Sequence, residues 1–207
     1  MDLTFRDFLA RCKLVAILRG VRPAEVVEVV HALIDHGIAI VEVPLNSPDP
    51  VESIGRLVER FGHSLLIGAG TVMTPAQVAE VAEAGGRLIV TPHAAPDVVR
   101  TAKQRGLFAV PGMFTPTEAF AMLAAGADAI KLFPAEAASP AVLRAMRAVL
   151  PKESAVLPVG GIDAINMRPW LEAGAAGFGI GSSIYRPGDS AERVAEKAAA
   201  LVAGLRG

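Results

Sequence analysis

The sequence predicts an α/β fold, a (β/α)8 TIM barrel built by one domain over residues 1–207, with a short N-terminal helix ahead of the first strand. Three observations carry this expectation. Eight short apolar runs alternate with longer amphipathic stretches, the order that gives a parallel sheet covered by helices. Glycines close most of the helical stretches at intervals of about 20–25 residues, the length of a βα unit. The longest strictly apolar runs, such as Ala119–Ala127, fall well short of the roughly 18 residues a spanning helix needs. The mean hydropathy of +0.45 therefore reads as a buried core. A doubly wound open sheet has the same alternation, and pattern alone leaves it open.

The elements follow in order. A helix over 4–11 precedes the first run, Leu14–Leu18, and a helix over 23–36 follows it. The next pairs are Ile40–Val43 with 49–61, Leu65–Ile67 with 75–84, and Leu88–Val90 with 96–105. Then come Phe108–Val110 with 116–125, Ala129–Leu132 with 140–149, Ala155–Val159 with 164–173, and Gly177–Ile180 with 190–205. Pro23, Pro75, Pro96, Pro116 and Pro140 sit in first turns, where a missing N–H costs no helical bond. Asp163 and Ser190 read as N-caps. Gly37, Gly62, Gly85, Gly106, Gly126 and Gly174 read as left-handed C-terminal caps.

Composition narrows the partners. At 52% apolar and 20% charged the chain can bury a sizeable core, which excludes disorder. Twenty basic against 21 acidic residues leave no positive excess to grip nucleic acid. The opening MDLTFRDFLARCK mixes charges and lacks a signal-peptide core, so a cytoplasmic protein that engages no membrane is expected. Cys12 is the only cysteine, which rules out an internal disulfide or a cysteine zinc site. His31, His36, His63 and His93 form no metal-binding pattern, so no bound metal is expected.

Three strands carry charge where a barrel interior should be apolar. Read with period two, Val15, Ile17 and Arg19 share a face, as do Ile40, Glu42 and Pro44, and Ala129, Lys131 and Phe133. Arg19 and Glu42 fall at or near carboxyl ends of strands, where barrel active sites are built. Lys131 sits in an apolar segment, and desolvation disfavours an ammonium, freeing a nucleophilic amine near neutral pH. A purely structural Lys131–Glu42 ion pair satisfies the same placement.

Two glycine loops follow the last strands, Val159-Gly160-Gly161-Ile162-Asp163 and Gly179-Ile180-Gly181-Ser182-Ser183. Exposed backbone N–H groups there suit a phosphate, at the rim position barrels commonly use for one. Each loop read singly is also an ordinary tight turn. Gly68-Ala69-Gly70-Thr71 offers backbone donors and a hydroxyl for a carboxylate, or simply a helix cap. His93 lies on the same rim, as a substrate contact or an exposed loop residue. Trp170 and Tyr185 read as packing residues.

Taken together, Ala16-Ile17-Leu18-Arg19-Gly20, Val41-Glu42-Val43-Pro44-Leu45-Asn46-Ser47-Pro48, Gly68-Ala69-Gly70-Thr71-Val72, Pro111-Gly112, Lys131-Leu132-Phe133-Pro134-Ala135-Glu136, Pro158-Val159-Gly160-Gly161-Ile162 and Gly179-Ile180-Gly181-Ser182-Ser183 resemble a known family. It is the 2-keto-3-deoxy-6-phosphogluconate / 6-phosphogalactonate aldolases, class I pyruvate aldolases. The resemblance implies that Lys131 forms the Schiff base and that Glu42 is the acid/base, directly or through water. It implies that Arg19 and Thr71 meet the pyruvoyl carboxylate end, and that Gly160, Gly161, Gly181 and Ser182 hold the phosphate. It also implies a homotrimer acting without cofactor on a phosphorylated keto-deoxy sugar acid.

Two positions depart from the phosphogluconate branch, which has arginine where Asn46 stands and threonine where Val159 stands. Both resemble the phosphogalactonate branch, and they make Val159 a candidate discriminator of configuration at C4. Three other readings share parts of the pattern: the same chemistry on the gluconate epimer, a phosphosugar isomerase or decarboxylase barrel without an imine, and a non-catalytic phosphometabolite-binding barrel.

Overall fold

The computed structural model describes residues 3–206. Helix α1 (Phe5–Arg11) opens on a capping box: the Thr4 hydroxyl accepts from the Asp7 N–H, and the Asp7 carboxylate accepts from the Thr4 N–H at 2.7 Å. Its Phe5 and Phe8 are buried and pack on Phe108.

Strands β1 (Leu14–Ile17), β2 (Ile40–Pro44), β3 (Leu66–Gly70), β4 (Leu88–Val90), β5 (Phe108–Val110) and β9 (Phe178–Ile180) form a six-stranded sheet in the order β5-β4-β3-β2-β1-β9. Strands β6 (Gly112–Met113), β7 (Ile130–Leu132) and β8 (Val156–Pro158) form a second sheet of three. All pairings are parallel. Helices α2 (Val26–Ile34), α3 (Pro50–Phe61), α4 (Pro75–Glu83), α5 (Pro96–Gln104), α6 (Pro116–Ala124), α7 (Pro140–Arg147), α8 (Met167–Glu172) and α9 (Ala191–Gly204) alternate with them. The predicted α/β alternation therefore holds. No helix among the described residues is long and apolar enough to cross a membrane.

The expected fifth strand, Phe108–Val110, is present as β5, and Pro111 separates it from a further short strand, β6. Proline has no N–H to donate, so the ladder breaks there. Residues before it pair with β4 and residues after it pair with β7, so one segment serves both sheets. The Pro111 carbonyl still accepts from the Lys131 N–H at 2.8 Å. On the other side a parallel bridge joins Val159 to Gly179.

Helix starts follow the side-chain chemistry. Pro75, Pro96, Pro116 and Pro140 each open a helix, and Thr74 and Thr115 form capping boxes with Gln77 and Glu118. Ser190 caps α9. Three expectations need correction. Pro23 lies in a turn rather than a helix: the Arg22 carbonyl accepts from Glu25 and Val26, and α2 begins only at Val26. Asp163 caps no helix, because its Oδ1 accepts from the Ile165 and Asn166 N–H groups and delays α8 to Met167. Gly62 has φ −59°, so its helix ends right-handed, unlike those at Gly37, Gly85, Gly106, Gly126 and Gly174.

Gly68 shows how tightly the sheet is packed. A Cβ there would lie 1.9 Å from the Leu88 carbonyl oxygen of the paired strand. Gly68→Ala must force β3 and β4 apart, and is expected to cost about 1–3 kcal/mol, as overpacking of a core does. Urea denaturation of the variant beside the parent chain measures it.

Candidate active site

Side chains from several strands converge on one interior. Val15 and Ile17 of β1, Glu42 of β2, Leu88 and Val90 of β4, Val110 of β5, Lys131 of β7 and Leu157 of β8 line it, with Phe5 reaching in from α1. The period-two reading of β1, β2 and β7 thus gave the correct faces. Above it opens a cleft of about 140 Å³ whose lining includes Arg19, Lys131, Phe133, Val159, Gly160, Gly161, Gly181 and Ser182. Of the nine predicted site residues, all but Thr71 line one of these two spaces. They meet because Glu42 and Lys131 face the interior from the middle of β2 and β7, while the others follow the carboxyl ends of their strands.

Glu42 and Lys131 are 2% and 7% exposed, in surroundings that are otherwise apolar. Among the described residues they form no salt bridge within 4.0 Å, so the contact ion pair allowed by the sequence is not made. Glu42 Oε2 has no hydrogen-bond partner. Burial then dominates both groups. It pushes the Glu42 carboxyl up to about 7, against the opposing pull of Lys131 and Arg19. It holds the Lys131 amine below its ordinary value, with Glu42 opposing and Arg19 reinforcing the shift. The outcome is an amine ready to deprotonate beside a carboxyl group that can take or give a proton near neutrality.

Local structure explains how Glu42 fits. A Cβ on Gly70 would fall 1.6 Å from Glu42 Oε2, so the absence of a side chain there makes room for the carboxyl group. Thr71 follows with φ +55°, a strained conformation for a β-branched residue. Thr71 is half-buried beside this turn but lines neither space. His93 is exposed and likewise lines neither.

Arg19 is held at the rim. Its Nη1 donates to Asn46 Oδ1 at 2.9 Å, and the Gly20 N–H donates to the Ser47 hydroxyl at 2.9 Å. Two consecutive residues of the loop after β1 are therefore tied to two of the loop after β2. Gly160 and Gly161, at φ +108° and +64°, form the turn after β8. Asn166 Nδ2 braces it by donating to the Gly161 carbonyl at 2.7 Å. Val159 is buried against Gly179, where a Cβ would come within 2.7 Å of the valine methyl.

Two neighbours, Gly70 and Glu136, were given no site role from sequence, and Asn46 was singled out only for the arginine it replaces. The Gly70–Glu42 and Asn46–Arg19 contacts gave no local signal, since they depend on other strands. Glu136 packs against the phosphate-loop candidates, its carboxylate 2.0 Å from where a Gly160 Cβ would stand. Tyr185, read as packing, is buried and also donates its hydroxyl to Glu25 at 2.7 Å. A larger groove lies at the opposite ends of the strands, among Arg11, Lys13, His36 and Arg206. It brings together no buried acid–base pair.

Parallel strands whose polar groups gather at their carboxyl ends define an α/β enzyme. Comparison with known proteins makes this specific: the family model for aldolases, KDPG and KHG aldolase, matches residues 6–196. The chain belongs to this aldolase family. It is 48% identical over 193 residues to 2-dehydro-3-deoxy-6-phosphogalactonate aldolase of Escherichia coli strain K12, covering 93% of this chain and 94% of that one. A solved native KDPGal structure superposes with a TM-score of 0.92 at 48% identity, with the same coverage. A KDPG aldolase from Legionella pneumophila, with pyruvate captured at low pH as a covalent carbinolamine intermediate, gives a TM-score of 0.80 at 25% identity. That match covers 95% of this chain and 97% of the other.

The raised Glu42 carboxyl has a stability consequence. Between about pH 4.5 and 7 the unfolded chain has released this proton while the folded chain keeps it, so stability falls as pH rises through that window. The full span corresponds to about 3 kcal/mol. Glu42→Gln is expected to remove this slope, which denaturation at a series of pH values will reveal. An unchanged slope would mean that Glu42 ionises normally.

Proposed function

We propose that this chain is a class I aldolase that cleaves 2-dehydro-3-deoxy-6-phosphogalactonate to pyruvate and D-glyceraldehyde 3-phosphate. The observation that carries the reading is the buried, uncontacted Lys131–Glu42 pair in a chain 48% identical to an aldolase of that name. In this reading residues 1–207 are one domain and the two sheets complete a (β/α)8 barrel. The Pro111 hand-over and the Val159–Gly179 bridge support that closure. The enzyme is cytoplasmic and homotrimeric.

The neutral Lys131 amine attacks the C2 ketone. The carbinolamine loses water and leaves an iminium ion, which draws electrons from the C3–C4 bond. Glu42, directly or through water, takes the C4 hydroxyl proton as that bond breaks and glyceraldehyde 3-phosphate departs. Glu42 then returns a proton to C3 of the enamine, and water releases pyruvate. A carboxyl group titrating near 7 suits both transfers. Arg19 and Thr71 bind the carboxylate end, and Gly160, Gly161, Gly181 and Ser182 bind the phosphate. No metal or organic cofactor enters the scheme.

Borohydride added with pyruvate is expected to leave a reduced pyruvyl group on Lys131, read by peptide mass. An active enzyme with no adduct would remove the Schiff-base reading. Lys131→Ala should abolish adduct and turnover. Glu42→Gln should slow exchange of pyruvate methyl protons by about 10²–10⁴-fold, and wild-type exchange would exclude Glu42 as the base.

Val159 bears on which C4 epimer is preferred. A methyl cannot bond the C4 hydroxyl, whereas threonine of nearly the same shape can. One such bond is worth about 0.5–1.5 kcal/mol net, or roughly 2- to 12-fold in rate ratio. Val159→Thr, alone or with Asn46→Arg, should shift kcat/KM toward the gluconate epimer. A ratio unchanged in both folded variants would place the discrimination elsewhere, and a parent enzyme that prefers the gluconate epimer would reassign the main substrate.

A further inference from the structure

Lys131 Nζ lies 4.8 Å from the centroid of the Phe133 ring. Among the described residues Lys131 makes no salt bridge and donates no side-chain hydrogen bond. Glu42 is felt only across a gap. Period two along the strand puts Lys131 and Phe133 on the same side. Phe133 is half-buried, and its ring borders the cleft that receives Lys131 from below.

We propose that Phe133 is an electrostatic catalytic partner, the face of its ring stabilising positive charge on the Lys131 nitrogen. The proposal rests on the Schiff-base reading above and extends it. An aromatic face attracts a cation within about 6 Å of its centroid, and more strongly when water is excluded. The nitrogen changes charge along the proposed path. The neutral amine bonds to C2 while one of its own protons passes to the ketone oxygen, giving a neutral carbinolamine. A second proton lets that oxygen leave as water, and the nitrogen lone pair forms the C=N bond of the iminium. The balance is one amine, one ketone and one proton giving one iminium and one water. The ring favours the charged members, ammonium and iminium, over the neutral amine.

This resolves a tension in the site. A strong carboxylate contact would also stabilise the iminium, but it would lock the free lysine as ammonium. Solvent would do the same. The ring offers a weaker, uncharged attraction that leaves the amine available. The charged groups bearing on Nζ are Glu42 and Arg19, with Glu136 at the edge of the same cleft. The remaining side chains of the interior are apolar.

The test varies the ring's charge distribution at nearly constant shape. Phe133 is replaced in the full chain by 4-fluoro-, 3,5-difluoro- and 3,4,5-trifluorophenylalanine, with Phe133→Leu as the ringless control. Acetylation of Lys131 against pH, read by peptide mass, reports its ammonium form. Borohydride trapping at fixed pyruvate, at a pH above the Lys131 titration where the free residue is the neutral amine, reports the iminium. Along the series the Lys131 titration should move to lower pH and the trapped iminium should fall. The change from parent to trifluoro or Leu should total between about 2- and 30-fold, the range of one such interaction. Flat titration across the folded fluorinated series would overturn the proposal, even if Phe133→Leu lost activity, because the ring would then act by shape alone. A moving titration with constant trapping would also overturn it, restricting the ring to the free ammonium. If the parent forms no pyruvate adduct, the Schiff-base reading fails, while the acetylation series still decides whether the ring stabilises charge at Lys131.

Discussion

The site depends on keeping one amine and one carboxyl group inside an apolar interior without letting them touch. A buried ion carries a desolvation penalty of several kcal/mol, and a close partner of opposite charge offsets it. Contact would therefore favour the ammonium and carboxylate together, giving a stable pair with little reactivity. Separation lets desolvation govern each group. Lys131 loses its proton more readily, while Glu42 keeps its own until about pH 7. The orphaned Glu42 Oε2 is the structural sign of that balance. Much of the neighbouring sequence serves the spacing, including the bare Gly70 against which the carboxyl group rests.

Such spacing needs backbones that do not yield. Lys131 and Glu42 lie on strands of different sheets, so their separation is only as fixed as the joints between the sheets. One joint is the segment around Pro111. A continuous strand would have required Pro111 to donate a bond it lacks. The break instead lets β5 pair on one side and β6 on the other, with the Pro111 carbonyl holding the Lys131 backbone directly. The second joint brings the Val159 backbone to Gly179, where the missing side chain admits the valine methyls.

How far the sequence was legible follows from the range of the forces involved. Strand faces were legible because alternation is local: two residues separate Ile17 from Arg19 and Lys131 from Phe133 whatever the fold. Helix starts at Pro75, Pro96, Pro116 and Pro140 were legible for the same reason. Pro23 and Asp163 misled because a turn and a helix begin with the same chemistry, and local hydrogen bonds close a turn at both sites. The split at Pro111 became visible only with both partner strands in place. Gly70 against Glu42 and Asn46 against Arg19 are contacts between residues 27 or 28 positions apart, which no window of periodicity spans. The charged strand residues gave the site away because they broke a local rule, and the groups that support them obeyed it.

The same contrast between contact and distance orders the rim. Arg19 reaches the cleft through a neutral partner, Asn46, whose carbonyl orients the guanidinium without cancelling its charge. A carboxylate in that position would have quenched it. In the same cleft the Glu136 carboxylate lies against Gly160 and Gly161, so the loop assigned to phosphate has an acidic group packed on it as well as Arg19 in its cleft. On the proposed reading the phosphate must then be held by directed backbone N–H groups and the Ser182 hydroxyl, not by bulk positive charge. Directed donors reward correct placement over a few ångströms, whereas bulk charge acts over a Debye length of about 8–10 Å. A substrate anchored in this way at one end and by an imine at the other has little freedom to slide. On that reading C4 faces Val159 in a defined orientation, which is why a methyl-for-hydroxyl exchange there bears on the choice of epimer.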